Sequence, residues 1–264
     1  RLIGNGGVVA YTEAEGYTNA KGSIYASMYT NFSEALYRKN DITVESFSLS
    51  GTVEKTLKNK IIHTLTVRVV NGYMTMIVDG DEASRITLPL SNYDGGYISL
   101  ITNAAKGREY GAFYGLTITE LDKNAELEKN ESPAVDGYDC DFTTLENVYQ
   151  LNRDFYAYLV EKDSVDGKKG VPADYWTLAT NLKNYEKVYA NPWLKPMHRN
   201  NGKNTLLTYN KSSLENLQVS TEFVTNHVRY GVMVAPLGQI ATDENGGVRV
   251  FVESNGIINI QGAV

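Results

Sequence analysis

The side chains best suited to hold a ligand lie in one aromatic, amide-rich stretch, residues 174–201. This stretch contains both tryptophans of the chain, with tyrosines and asparagines between them. Aromatic rings stack on the apolar faces of a polyhydroxylated ligand, while amides and imidazoles hydrogen-bond to its hydroxyl groups. The candidate ligand-binding residues are Tyr185, Tyr189, Asn191, Trp193 and His198.

Core packing is the alternative role for these rings. Trp176 lies in the alternating run YWTLAT, and this position favours a buried ring. Trp193 lies in an irregular stretch between Pro192 and Pro196, where strand packing explains a large ring less easily. An exposed and a packed Trp193 therefore both remain open.

Charge and composition exclude several classes of function. The net charge is -6 and the sequence pI is about 5.2, so the chain lacks the basic surface that nucleic acids require. Its longest apolar runs are strand-sized, which argues against membrane insertion. Cys140 is the one cysteine, so no intrachain disulfide forms, and three histidines well apart in sequence do not suggest a zinc site.

The elements that would position a site are β-strands. The chain holds 19 tyrosines and 23 glycines, together with many threonines, valines and isoleucines, which is typical of strands joined by tight turns. The clearest hairpin spans 64–79, where two alternating runs meet at Asn71-Gly72, a pair suited to a type I′ turn. The residues predicted to be buried in it are Val67, Val69, Met76 and Val78.

A charged stretch divides the chain. Residues 122–136, DKNAELEKNESPAVD, contain few bulky apolar side chains and are predicted to be a linker between regions 1–121 and 137–264. Segment 229–260 repeats the strand, loop, glycine and strand order of 3–36. This repeat predicts that the first region is the late half of a module, that the second is the early half, and that both pack into one sandwich. Two truncated tandem modules are the alternative.

The strand motifs resemble a known family, the concanavalin A-like lectin/glucanase sandwiches, in their laminin G-like subgroup. The resemblance rests on HTLTVRVVNGYMTMIVDG at 63–80, YDGGYISLIT at 93–102 and AFYGLTITEL at 112–121, with DFTTLENV and EFVTNHVRYGVMV in the second region. It implies an all-β fold, an antiparallel jelly-roll sandwich, here with its halves in permuted order. These motifs describe fold more than ligand.

Catalytic members of this family carry Glu-x-Asp-x-x-Glu on one strand for retaining hydrolysis. The nearest match is EKDSVD at 161–166, which ends in Asp166 and runs into Gly167-Lys168-Lys169-Gly170. It is therefore predicted to be a solvated loop. No serine-hydrolase elbow, zincin helix or P-loop motif occurs, so no enzymatic activity is expected.

Calcium is the one cofactor that the resemblance suggests, since some relatives bind it at the rim of the sandwich. Asp139 and Asp141 are the candidate ligands, beside Asp136. A charged, solvated strand entry explains them better, because calcium ligands usually converge from several loops.

The expected function is that of a non-catalytic carbohydrate-binding or accessory module in a larger secreted or cell-surface bacterial protein, linked to glycan degradation. Its expected partners are a glycan and the other domains of that parent protein. Two alternatives remain open: a structural spacer or protein-interaction domain without a sugar site, and a degenerate glycoside hydrolase domain.

Overall fold

The structure, a computed structural model, describes 14 stretches of two residues or more and three single positions. The single positions are 82, 93 and 200. The stretches are 2–3, 9–10, 26–29, 63–80, 85–90, 95–103, 110–127, 134–179, 193–197, 202–211, 215–226, 229–242, 244–252 and 257–262.

The described residues form eighteen strands. In the first region these are β1 (Leu2–Ile3), β2 (Val9–Ala10), β3 (Ala26–Tyr29), β4 (His63–Val70), β5 (Tyr73–Val78), β6 (Ile86–Pro89), β7 (Tyr97–Asn103) and β8 (Tyr110–Leu121). They continue as β9 (Ala134–Asp141), β10 (Phe155–Val160), β11 (Gly167–Gly170), β12 (Trp176–Ala179), β13 (Trp193–Pro196), β14 (Asn204–Tyr209), β15 (Leu217–Asn226), β16 (Arg229–Ala235), β17 (Val248–Val252) and β18 (Ile257–Gly262).

Helices are short in the described part of the chain. Two 3-10 helices, η1 (Phe142–Thr144) and η2 (Val148–Arg153), follow β9, and a four-residue helix, α1 (Pro172–Tyr175), precedes β12. None of the described helices is long and apolar enough to cross a membrane.

Two antiparallel sheets pack face to face as a sandwich. Sheet 1 has the order β11-β10-β14-β7-β16-β17-β18-β3, and sheet 2 has the order β12-β13-β8-β15-β4-β5-β6, with β9 also paired to β8. A separate two-stranded ladder joins β1 and β2. The predicted all-β, antiparallel sandwich is therefore confirmed.

Both sheets combine strands from before and after the segment 122–136. In sheet 1, β7 lies between β14 and β16, with Leu100 opposite both Leu207 and Val232. In sheet 2, β15 lies between β4 and β8. Strands from 37–121 and strands from 138–264 therefore share their backbone ladders.

Two parts of the segment predicted to be a linker lie among the described residues. Its last three residues already belong to β9, which begins at Ala134. Near its start, Ala125 is buried in a small cluster with Val70 and Leu121 on the side of β4 opposite the main core.

The predicted hairpin is confirmed in both turn and register. Asn71 and Gly72 have φ angles of 50° and 76°, the left-handed pair that a type I′ turn requires. Val67 lies opposite Met76 in the ladder. Val67, Val69, Met76 and Val78 are each at most 1% exposed and belong to the core between the sheets.

Side-chain alternation produces a second apolar layer on sheet 1. Leu100 and Val232 point into the core between the sheets, while their neighbours Ile101 and Met233 belong to a separate cluster on the opposite face. Ile240 and Ala241, from the loop after β16, complete that cluster. Sheet 1 is thus apolar on both faces where this loop covers it.

The turn at Gly72 gives a direct test of the register. A Cβ at Gly72 would meet no atom within 4 Å, so alanine there adds backbone strain without a clash. We expect Gly72→Ala to lower the free energy of unfolding by about 1–2 kcal/mol, measured by urea denaturation. Gly137→Ala in β9 is the control, because its Cβ would make an ordinary contact of 3.6 Å with the Ile118 carbonyl oxygen. Equal stability of the two variants would contradict the turn geometry.

Candidate functional site: a cleft between the sheets

A concavity with polar and aromatic walls lies between the sheets, where β14 ends. Its volume is about 430 Å³, within the range of roughly 300–1,000 Å³ that is usual for ligand sites. Strands β8 and β9 form one wall and the end of β14 forms the other. The lining residues are Ile118, Glu120, Asp136, Gly137, Tyr138, Tyr209, Asn210 and Lys211.

Two tyrosine rings line the cleft, and they pack with a third ring, Phe155, that is not part of its lining. The ring centroids of Tyr138 and Tyr209 are 4.6 Å apart, and Phe155 lies 5.7 Å from Tyr138 and 5.8 Å from Tyr209. Phe155 and Tyr209 are buried, whereas Tyr138 is half-buried. Tyr138 is therefore the ring that a ligand reaches most readily.

Strand alternation explains why Tyr138 faces the cleft. Tyr138 and Cys140 share the inward face of β9 and pack against the main core, while Asp139 lies on the outward face. Burial raises the pKa of the Tyr138 hydroxyl, which donates a hydrogen bond of 3.2 Å to Asp154. Burial likewise raises the pKa of the Cys140 thiol, which argues against a reactive thiolate there.

Charged groups line the mouth of the cleft. Glu120 and Asp136 are direct partners across the β8–β9 ladder. The Lys211 ammonium lies 3.8 Å from an Asp136 carboxylate oxygen. Its hydrogen bond to the Tyr209 hydroxyl, helped by the Asp136 charge, raises the pKa of Lys211. The mouth therefore offers both acceptors and a cationic donor.

The loop after η2 anchors the end of β14. The backbone N–H of Asn210 donates to the Asp154 carbonyl at 2.9 Å, and the Asn210 side chain donates to the Arg153 carbonyl at 2.7 Å. The Arg153 guanidinium donates two hydrogen bonds of 3.0 Å to the Asp154 carboxylate. These contacts fix the backbone that carries Tyr209 and Lys211, so this wall of the cleft is preformed.

Of the two roles left open for Trp193, the structure shows the packed one. Trp193 is 0% exposed, and its ring packs 5.6 Å from that of Tyr114, which is also buried. The reason is that Trp193 begins β13, which pairs with β12 along its length and with Phe113 of β8. Its ring is thus not available to stack on a sugar. Trp176 is also fully buried, as its alternating run indicated.

The other four predicted ligand-binding residues, Tyr185, Tyr189, Asn191 and His198, lie outside the described residues. The structure consequently gives no geometry for them. Of the sequence-predicted set it places Trp193, and it places that ring in packed surroundings.

The two candidate calcium ligands have structural partners. The Asp139 carboxylate accepts a hydrogen bond of 2.7 Å from the Thr117 hydroxyl of the neighbouring strand. Asp141 caps η1 by accepting from the backbone N–H of Thr143 at 2.8 Å and from its hydroxyl. Among the described residues, no group of three or more histidine, cysteine or acidic side chains could hold a metal ion.

The nearest match to a catalytic carboxylate motif is a loop. Glu161, Asp163 and Asp166 are all exposed in the turn between β10 and β11. Glu161 pairs with Lys203 at 2.7 Å, and Asp166 accepts a hydrogen bond from Gln239 at 3.0 Å. These contacts fasten the turn to neighbouring segments, as expected for a solvated loop.

Sequence reasoning did not group the residues that line the cleft into a site, although it noted Asp136 beside the calcium candidates. The alternation of aspartates with Tyr138 and Cys140 was visible in residues 136–141 and could have shown that Tyr138 faces inward. The partner wall could not have been found this way. Tyr209 and Lys211 reach the cleft through the pairing of β14 with β7 and β10, which no local pattern indicates.

The Arg153–Asp154 pair makes the stability of this wall depend on pH. The hydrogen bonds from Arg153 lower the pKa of Asp154. The stabilisation is therefore complete above about pH 4, the usual carboxylate value, and is lost as the pH falls through the lower folded value. We expect Asp154→Asn to unfold more easily at pH 6, by less than about 1 kcal/mol because the pair is solvated, and to match the unmodified protein near pH 2. Urea unfolding across this pH range tests it; a constant difference would contradict the ion-pair explanation.

Comparison with known proteins gives no independent assignment. No protein-family model matches the chain. No curated protein is significantly similar to it in sequence. The cleft and the fold are thus what a functional proposal has to rest on.

Proposed function

We propose that this protein is a non-catalytic carbohydrate-binding module of a larger secreted or cell-surface bacterial protein, and that it holds its glycan in the cleft between the sheets. The observation that carries the proposal is the half-buried Tyr138 ring beside Glu120, Asp136 and Lys211 in one concavity. A sugar presents an apolar face to a ring and hydroxyls to charged and amide groups, and this wall supplies both.

Hydrolysis is the less well supported reading of the same cleft. Glu120 and Asp136 are opposed in the ladder, and a retaining glycosidase also uses two carboxylates close together. A general acid is usually kept protonated by burial, however, and the Asp136 side chain is 63% exposed. Binding without bond cleavage fits these surroundings better.

Protein interaction is a second candidate function, favoured by one edge of sheet 2. Val135 in β9 is 62% exposed, and β9 pairs with β8 alone among the described strands. A partner strand added to that edge would find Asp136, Asp139 and Asp141 along it, and these charges oppose strand addition. The cleft is accordingly the stronger basis for a function.

A glycan array followed by calorimetry tests the proposal. We expect at least one oligosaccharide to bind, and Tyr138→Ala to weaken that binding about tenfold, as loss of an aromatic contact implies. Tyr73→Ala is the matched control, since Tyr73 is 50% exposed in β5, away from the cleft. Affinity unchanged in Tyr138→Ala would contradict a site in this cleft.

Two further measurements separate loss of binding from loss of stability and from hydrolysis of the ligand. Lys211→Ala changes a 65% exposed side chain at the mouth, so it should weaken binding while leaving the thermal unfolding temperature nearly unchanged. Bound oligosaccharides should be recovered intact after prolonged incubation. Cleavage that is abolished by Glu120→Gln would show a hydrolase instead.

A further inference from the structure

The cleft carries more negative than positive charge. Glu120 and Asp136 contribute two carboxylates, and Lys211 contributes one ammonium. Asp154, just behind Tyr138, is already neutralised by the two hydrogen bonds from Arg153. Two negative charges less one positive charge leave one negative charge uncompensated at the mouth.

That uncompensated charge belongs to Glu120. Among the described residues, nothing forms a hydrogen bond or ion pair with its carboxylate, although the side chain is only partly exposed. The Lys211 ammonium lies 3.8 Å from an Asp136 carboxylate oxygen, so its charge favours Asp136 over Glu120. Like charges directly opposed on neighbouring strands destabilise a sheet, and the Lys211 contact offsets this cost only on the Asp136 side of the Glu120–Asp136 pair.

A cation on the ligand would offset this cost. A protonated amine near Glu120 would meet an unpaired carboxylate, a second carboxylate across the ladder and the electron-rich ring of Tyr138. An acidic sugar would bring its own negative charge next to both carboxylates. A neutral sugar would leave the Glu120 charge unpaired in a partly desolvated place.

We infer that the cleft selects a glycan with free, protonated amino groups, so that its ligands are oligosaccharides of amino sugars that are not N-acylated. This inference rests on the proposed function and names the ligand class for the same site. The acidic pair supplies the selectivity, while Tyr138 and Asn210 supply contacts that every pyranose can use.

Two matched ligands separate the contribution of the free amino groups from that of the sugar rings. A tetrasaccharide of β-1,4-linked glucosamine and its fully N-acetylated counterpart differ in the charge and acylation of the nitrogen and share ring and linkage. In calorimetry at pH 5.5 and low salt, we expect the glucosamine form to bind at least about tenfold more tightly, as charge-assisted hydrogen bonds imply. The preference should shrink as salt is added and disappear as the pH rises above the pKa of the ligand amine.

Two matched variants test whether the Glu120 carboxylate causes this preference. Glu120→Gln keeps the shape of the side chain and removes its charge, so it should abolish the preference while retaining binding of the N-acetylated form. Glu222→Gln makes the same change at an exposed position of β15 in the same sheet, away from the cleft lining, and should keep the preference intact.

The outcomes separate the inference from the function on which it rests. Equal affinity for the two tetrasaccharides, or a preference that survives Glu120→Gln, would overturn the inference and leave a glycan site in place. A tetralysine peptide that binds as tightly as the glucosamine form would also overturn it, because the cleft would then recognise cations in general. If neither tetrasaccharide and no arrayed glycan binds, the proposed function is overturned as well.

Discussion

Backbone hydrogen bonds between distant segments hold this protein together. Strand β7 is buried between β14 and β16, and β15 is buried between β4 and β8. Buried backbone groups must be paired, so neither sheet can be completed by one region of the chain alone. Ser99 and Thr208, whose hydroxyls lie 2.8 Å apart on neighbouring strands, are 109 residues apart in sequence. Pairing over such separations makes folding slow, since long loops must close first.

The cleft is a product of this long-range pairing. Tyr138 reaches it because β9 adds to β8, and Tyr209 reaches it because β14 adds to β7 and β10. Packing of these rings joins an edge of sheet 2 to the interior of sheet 1. The site therefore exists only once both sheets are assembled, and its chemistry is tied to the complete sandwich.

Local patterns were sufficient to predict part of the fold. The hairpin at 64–79 has a turn type that two residues specify and a face that alternation specifies, so its register could be read directly. The buried Trp176 and the exposed turn at 161–166 follow from equally local rules. Trp193 could not be placed this way, because its burial depends on the pairing of β13 with β8 and β12 and on its contact with Tyr114. The cleft was missed for the same reason.

Three strands with an unpaired edge in the described part of the chain, β6, β9 and β11, carry residues that discourage addition of foreign strands. Strand β11 presents Lys168 and Lys169, β6 ends at Pro89, and β9 carries several aspartates. Charges and prolines on edge strands block the main-chain pairing through which β-proteins polymerise. Edge-to-edge pairing between neighbouring copies is therefore disfavoured along these three strands, even where several copies lie close together.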